Sequence, residues 1–175
     1  MRPSQVRQGL RALGELAGRF AETLRRGGTL FFAGNGGSAA EAQHIAAEYV
    51  VRYGHHRKAL PALALTTDTS LLTACGNDLG FDQVFARQVE ALAHPGDLLV
   101  LHSTSGESPN VLRAAQAARA KGVAVVALLG KGGGRLRELA DEGLVIPSDE
   151  TPRVQELHLA IEHIICDIVE GELGL

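Results

Sequence analysis

Two stretches of the chain carry side chains able to bind a metal ion or to move a proton. His44 and Glu48 stand four residues apart in a helical pattern, which puts an imidazole and a carboxylate on one face. In a second helical pattern near the C-terminus come Gln155, His158 and His163. His44, Glu48, Gln155 and His163 together offer two imidazoles, one carboxylate and one amide oxygen, a donor set suited to zinc or a similar divalent ion. Gln155 and His163 are eight residues apart, about 12 Å of helix rise with an angular offset of about 80°. One copy of the helix would struggle to bring both to one ion, so the spacing points to ligands converging from different chains.

Two turns look built for an anion. Ser103-Thr104-Ser105-Gly106-Glu107-Ser108 packs four hydroxyls into six residues. Gly106 lets backbone approach closely, and Ser108 before Pro109 reads as the N-cap and first position of a helix. The amides and dipole of such a helix start favour a phosphate group. The other turn is Gly34-Asn35-Gly36-Gly37-Ser38. With Ala39 and the distant Asp68 it also fits a dinucleotide fingerprint, but the acidic residue comes too late in the chain for that pattern. Gly130-Lys131-Gly132-Gly133-Gly134 lacks the Lys-Ser/Thr ending of a phosphate-binding Walker loop and reads as a turn. Among the other histidines, His55, His56 and His94 are expected in solvent, His102 packed at a strand end, and His158 in a structural role.

The elements that must position these groups follow from the apolar pattern. Short apolar runs at 29–33, 62–65, 97–102, 123–129 and 144–146 do not alternate with polar residues and read as strands buried on both faces. Helical patterns lie at 38–52, 81–93, 109–120 and 135–140, with a last long helix at 152–173. The first segment, 3–26, carries Val6, Leu10, Leu13, Leu16, Phe20 and Leu24 as a one-sided stripe. Strand and helix in repeated alternation predict an α/β three-layer sandwich with a five-stranded parallel sheet and long N- and C-terminal helices. A flavodoxin-like order, 2-1-3-4-5, would set the two anion turns face to face where the strand order reverses.

At 175 residues one domain is expected to cover the chain. The 17 Lys and Arg against 20 Asp and Glu, a net charge of -3, exclude a generally basic nucleic-acid binder. Aromatic content of 4% with no Trp gives no stacking platform for bases. No apolar run approaches a membrane span or a signal core, and Cys75 and Cys166 are too few for a disulfide framework. A cytoplasmic protein without nucleic-acid or membrane partners is the expectation.

Four stretches, in order, resemble the phosphoheptose isomerases of the sugar isomerase (SIS) domain family. They are the run from Gly34 to Glu48, the pair Asn77-Asp78, the loop Ser103 to Ser108, and Arg153-Val154-Gln155-Glu156 to His163. The resemblance implies interconversion of sedoheptulose 7-phosphate and D-glycero-D-manno-heptose 7-phosphate by a zinc-binding homotetramer with active sites between subunits, the N-terminal helix packing in the oligomer. Carried over by position, it makes His44, Glu48, Gln155 and His163 the metal ligands. Asn35, Gly36, Gly37, Ser38, Asn77 and Asp78 would contact substrate with Glu48 and Gln155, and Ser103, Thr104, Ser105 and Ser108 would hold its phosphate end. Glu48 and His163 would be the acid–base pair for a cis-enediol route. Glu107 stands where a carboxylate would repel phosphate unless it points away. Two alternatives are isomerisation of another sugar phosphate and a non-catalytic SIS protein that binds the replication initiator. The second branch lacks acid–base residues at the positions of Glu48 and His163, both present here.

Overall fold

The computed structural model describes residues 3–175, with side chains for Arg7 and from Gly9 onward. Five strands, β1 (Leu30–Gly34), β2 (Ala62–Ala64), β3 (Leu98–Ser103), β4 (Ala124–Leu129) and β5 (Glu142–Val145), form one sheet. Every pairing is parallel and the order is β2-β1-β3-β4-β5. Gly34 pairs with His102, so β1 and β3 end level and their following turns leave the sheet side by side. That reversal point is where the anion turns were expected.

Only β1 and β3 are buried along their whole length, and β4 is nearly so. The edge strands β2 and β5 are partly exposed, which corrects the expectation that all five are buried on both faces. An edge strand has a neighbour on one side only, and the layers covering it taper there.

The flanking layers use the helical stripes. On one face α1 (Pro3–Arg25), α2 (Gly37–Val50) and α7 (Thr151–Leu173) cover a core containing Phe20, Phe32, Tyr49 and Ile165. On the other, α3 (Thr69–Asp78), α4 (Ala86–Leu92), α5 (Pro109–Ala120) and α6 (Leu136–Leu139) cover Phe31, Leu99, Leu101 and Val125. The buried stripe of α1 runs from Leu13 to Leu24, whereas Leu10 is 64% exposed and Val6 lies outside the described side chains.

Two helical expectations need correction. α3 falls where none was expected; Asp68 caps it by accepting the Leu71 N–H at 2.9 Å. The helix expected at 81–93 is instead a 3-10 turn at Phe81–Gln83 followed by α4. Among the described residues no helix is long and apolar enough to cross a membrane.

Candidate functional site

The turns after β1 and β3 enclose a cavity of about 410 Å³, within the usual range for small-ligand sites. It is lined by Asn35, Gly36, Gly37, Ser38, His102, Ser103, Thr104, Ser105, Ser108, Thr151 and Gln155. Three helices, α2, α5 and α7, start at or beside this lining. Their free N–H groups and positive dipole ends favour an anion there.

Local sequence explains the shape. A Cβ on Gly37 would come within 2.5 Å of the Gln155 amide, so only glycine leaves room for that side chain beside Ser38. Gly106 takes φ +67 and its missing Cβ would overlap the Gly133 carbonyl. Asn35 and Asn110 exchange two side-chain amide hydrogen bonds of 2.8 Å, tying the glycine turn to the first turn of α5. Ser103 Oγ accepts the Gly106 N–H at 3.0 Å and Ser105 Oγ accepts the Glu107 N–H at 3.2 Å. Ser108 occupies the N-cap with Pro109 at N1, but its side chain makes no cap bond; the residue lines the cavity.

A second cluster lies farther along the two helices that border the cavity. His44 Nε2 stands 2.9 Å from His163 Nε2 and 3.5 Å from Glu48 Oε1. The three ligand atoms all lie within 4.8 Å of one another. A tetrahedral zinc with bonds of about 2.0–2.1 Å separates its ligand atoms by about 3.3 Å, so the observed spacings bracket what zinc requires. Two imidazole nitrogens this close also need a proton or a cation between them. The Tyr53 ring packs against His163 with centroids 5.6 Å apart.

One chain therefore does not gather every expected residue in one place. Gln155 sits in the cavity, its Nε2 3.5 Å from Ser38 Oγ, while His163 is two turns farther along α7 with His44 and Glu48. The eight-residue spacing, about 12 Å of rise, separates them. Asn77 and Asp78 bond to each other at 2.7 Å on α3, and Asp78 lines a different groove with Leu71 and Leu79. The cavity unites Asn35, Gly36, Gly37, Ser38, Ser103, Thr104, Ser105, Ser108 and Gln155.

Glu107 points away from the cavity. Its carboxylate accepts the Arg135 backbone N–H at 2.7 Å and pairs with Arg135 Nε at 2.6 Å. Those hydrogen bonds hold the carboxyl below the usual range. Glu107→Asn should therefore leave KM within about twofold, since exposed ion pairs contribute little; a larger change in steady-state kinetics would mean that the carboxylate faces the ligand.

Sequence reading missed a buried polar group behind the cavity. His102 Nε2 lies 2.7 Å from Glu162 Oε1, and both side chains are 0% exposed. Burial by itself would lower the His102 pKa, but the charge and hydrogen bond of Glu162, with Glu41 beyond, raise it. Glu41 is buried on α2, and desolvation pushes its carboxyl up to about 7 against the opposing pull of His102. His158 is buried as expected of a structural residue; its Nε2 lies 3.1 Å from the Leu129 carbonyl oxygen, and burial pushes its pKa down to about 4.

Comparison with known proteins gives the family. The SIS domain model matches residues 4–130. Phosphoheptose isomerase from Rhodospirillum rubrum is 54% identical over 162 residues, covering 93% of this chain and 86% of the relative. The chain belongs to the phosphoheptose isomerase family of SIS-domain proteins. A further phosphoheptose isomerase, from Geobacter sp. (strain M21), is 58% identical over 154 residues, 88% of this chain and 80% of the relative. The phosphoheptose isomerase structure from Neisseria gonorrhoeae superposes with a TM-score of 0.87 at 43% identity, covering 92% of this chain and 86% of that one. That from Francisella tularensis gives 0.89 at 38% identity over the same shares. The protein is thus an enzyme, an isomerase of the phosphoheptose isomerase family, with the doubly covered parallel sheet of those structures.

Proposed function

We propose that the protein interconverts sedoheptulose 7-phosphate and D-glycero-D-manno-heptose 7-phosphate through a cis-enediol, as a cytoplasmic homotetramer with its active sites between subunits. The observation that carries this reading is the placement of an anion cavity and a His–Glu–His cluster on the same two helices, α2 and α7. Phosphoheptose isomerases that are similar across most of the chain length support the substrate class.

The phosphate of the substrate binds the hydroxyls of Ser103, Thr104, Ser105 and Ser108 and the helix starts. Asn35, Gly36, Gly37, Ser38 and Gln155 contact the adjoining sugar, and Asn77 and Asp78 reach it from another copy. His44, Glu48 and His163 would hold zinc, with Gln155 of a neighbouring copy as fourth ligand. Bound there, zinc supplies Lewis-acid polarisation of the substrate carbonyl. Glu48 removes the proton from carbon 1 of the ketose and returns it to carbon 2 on the same face. His163 moves protons at the substrate oxygens and opens the sugar ring. Val51, Leu157 and Ile164, close in sequence to Glu48, Gln155 and His163, expose apolar side chains, as an interface at the site requires.

Ser105→Ala should raise KM about tenfold with little change in kcat, because a hydrogen bond to a charged group contributes about 1.5–3 kcal/mol. An unchanged KM would contradict the phosphate assignment. The reading as a whole is tested by NMR of zinc-loaded protein with sedoheptulose 7-phosphate in D2O. The heptose aldose should form and carry deuterium at carbon 2. A panel of shorter ketose phosphates decides chain length, and turnover of those alone would overturn the substrate. Capture of the replication initiator without any sugar turnover would favour the non-catalytic alternative.

A further inference from the structure

Among the described residues the anion cavity has no Lys or Arg in its lining, and His102 is the one ionisable residue there. A bound dianion would meet hydroxyls, amides and helix starts but no permanent positive side chain. Through His102 on β3 this wall connects to a buried group with Glu41 on α2 and Glu162 and His158 on α7. The Phe32 ring of β1 stacks on His102, with centroids 6.2 Å apart. Four atoms of the group, Glu41 Oε2, Glu162 Oε2, His102 Nδ1 and His158 Nδ1, are buried without a hydrogen-bond partner. A cluster this dry is sensitive to charge placed next to it, because the field is not screened by water.

We propose that binding of a phosphate or sulfate dianion in this cavity is accompanied by proton uptake at the buried Glu41 and His102 behind it. This rests on the reading of the cavity as the phosphate site of the substrate. Glu162 Oε1 is bonded to His102 Nε2, and His158 bonds to the Leu129 carbonyl. Glu41 is the group poised to change. Desolvation places its carboxyl at about 7, so near neutral pH it is shared between ionised and protonated forms. Ser38, which lines the cavity, is one turn before it on α2. A dianion arriving there penalises a neighbouring carboxylate and favours a protonated imidazole, so both groups draw a proton in the same direction. The proton supplies the compensating charge that no Lys or Arg provides. Anion affinity must then fall as pH rises above neutral, by at most tenfold per pH unit for one proton.

Sulfate is the probe, because it carries no titrating proton near neutral pH and any uptake belongs to the protein. Calorimetric titration of the full chain with sodium sulfate at pH 7.5, in buffers of different ionisation enthalpy, should show uptake of about half a proton or more per site. Glu41→Gln mimics the protonated form. It should still bind sulfate, lose most of the uptake, and show an affinity that no longer falls between pH 7 and 8.5. A carboxyl whose pKa is raised on folding weakens the fold as pH rises, so this variant should melt at or above the wild-type temperature at pH 8. Sulfate binding with no dependence on buffer, or undiminished uptake in Glu41→Gln, would overturn the proposal while leaving the cavity reading intact. Absence of sulfate binding altogether would overturn both.

Discussion

Glu48→Gln and His163→Ala should each lower kcat at least about 100-fold, the range expected when a general acid or base is lost. Neither change should unfold the protein. Glu48 and His163 sit in a partly exposed cluster rather than in the core, and substitutions outside the core usually change stability by about 0.5 kcal/mol or less. Gln has nearly the shape of Glu and still offers an amide oxygen, so Glu48→Gln separates loss of the basic carboxylate from loss of contacts. His163→Ala also removes one of the proposed zinc ligands, so its zinc content should fall. Steady-state kinetics on the heptulose phosphate, with thermal melts of the same samples, check both. A near-normal rate in either variant would remove that residue from the acid–base role.

Arg57→Ala should destabilise the protein by about 3–5 kcal/mol, the cost of stranding one partner of a buried ion pair. The Arg57 side chain is 2% exposed and pairs with Glu170 at 2.6 Å. Its other nitrogens donate to the carbonyls of Glu48 at 2.7 Å and Tyr49 at 2.8 Å. Glu170 in turn accepts the N–H groups of Tyr53 at 3.2 Å and Gly54 at 3.1 Å. One guanidinium thus ends α2 just past Glu48 and fixes the turn that lays Tyr53 on His163. Lys in its place supplies a single point charge and should recover only part of the loss. The effect also has a pH signature. Burial would raise the Glu170 carboxyl, but Arg57 and the two N–H groups outweigh it and hold its pKa below the ordinary value. The stability this carboxylate contributes is therefore present above the ordinary carboxyl range and lost as pH falls through its depressed value. The gap between wild type and Arg57→Ala in chemical denaturation should be full at pH 7 and shrink in acid. A constant gap would mean that the pair contributes through packing alone.

Much of this arrangement was legible in the chain because it is encoded locally. The turn from Gly34 to Ser38 and the loop from Ser103 to Ser108 announce themselves by composition, and apolar runs spaced by helical patterns give a parallel sheet covered on both faces. The i, i+4 spacing of His44 and Glu48 survives folding unchanged. What escaped was encoded over distance. His102 and Glu162 are 60 residues apart, Arg57 and Glu170 113, and Asn35 and Asn110 75. Each member alone looks like an ordinary polar side chain of its strand, loop or helix. α3 escaped because Gly76 interrupts a short helix whose only buried residue is Cys75. The helix expected over 81–93 broke because apolar spacing does not register the 3-10 geometry at its start. The eight residues from Gln155 to His163 pointed to the separation seen along α7, with Gln155 at the cavity and His163 beside His44 and Glu48.

A cavity and a triad standing apart in one chain should act together on one substrate molecule, the cavity from one copy and the triad from another. Mixing two inactive variants tests it most directly. Glu48→Gln disables the triad, and Gly37→Val fills the cavity beside Gln155. Oligomers containing both chains, purified through two different tags, should isomerise sedoheptulose 7-phosphate well above either parent, because some interfaces pair an intact cavity with an intact triad. Mixed oligomers no more active than their parents would contradict the shared site.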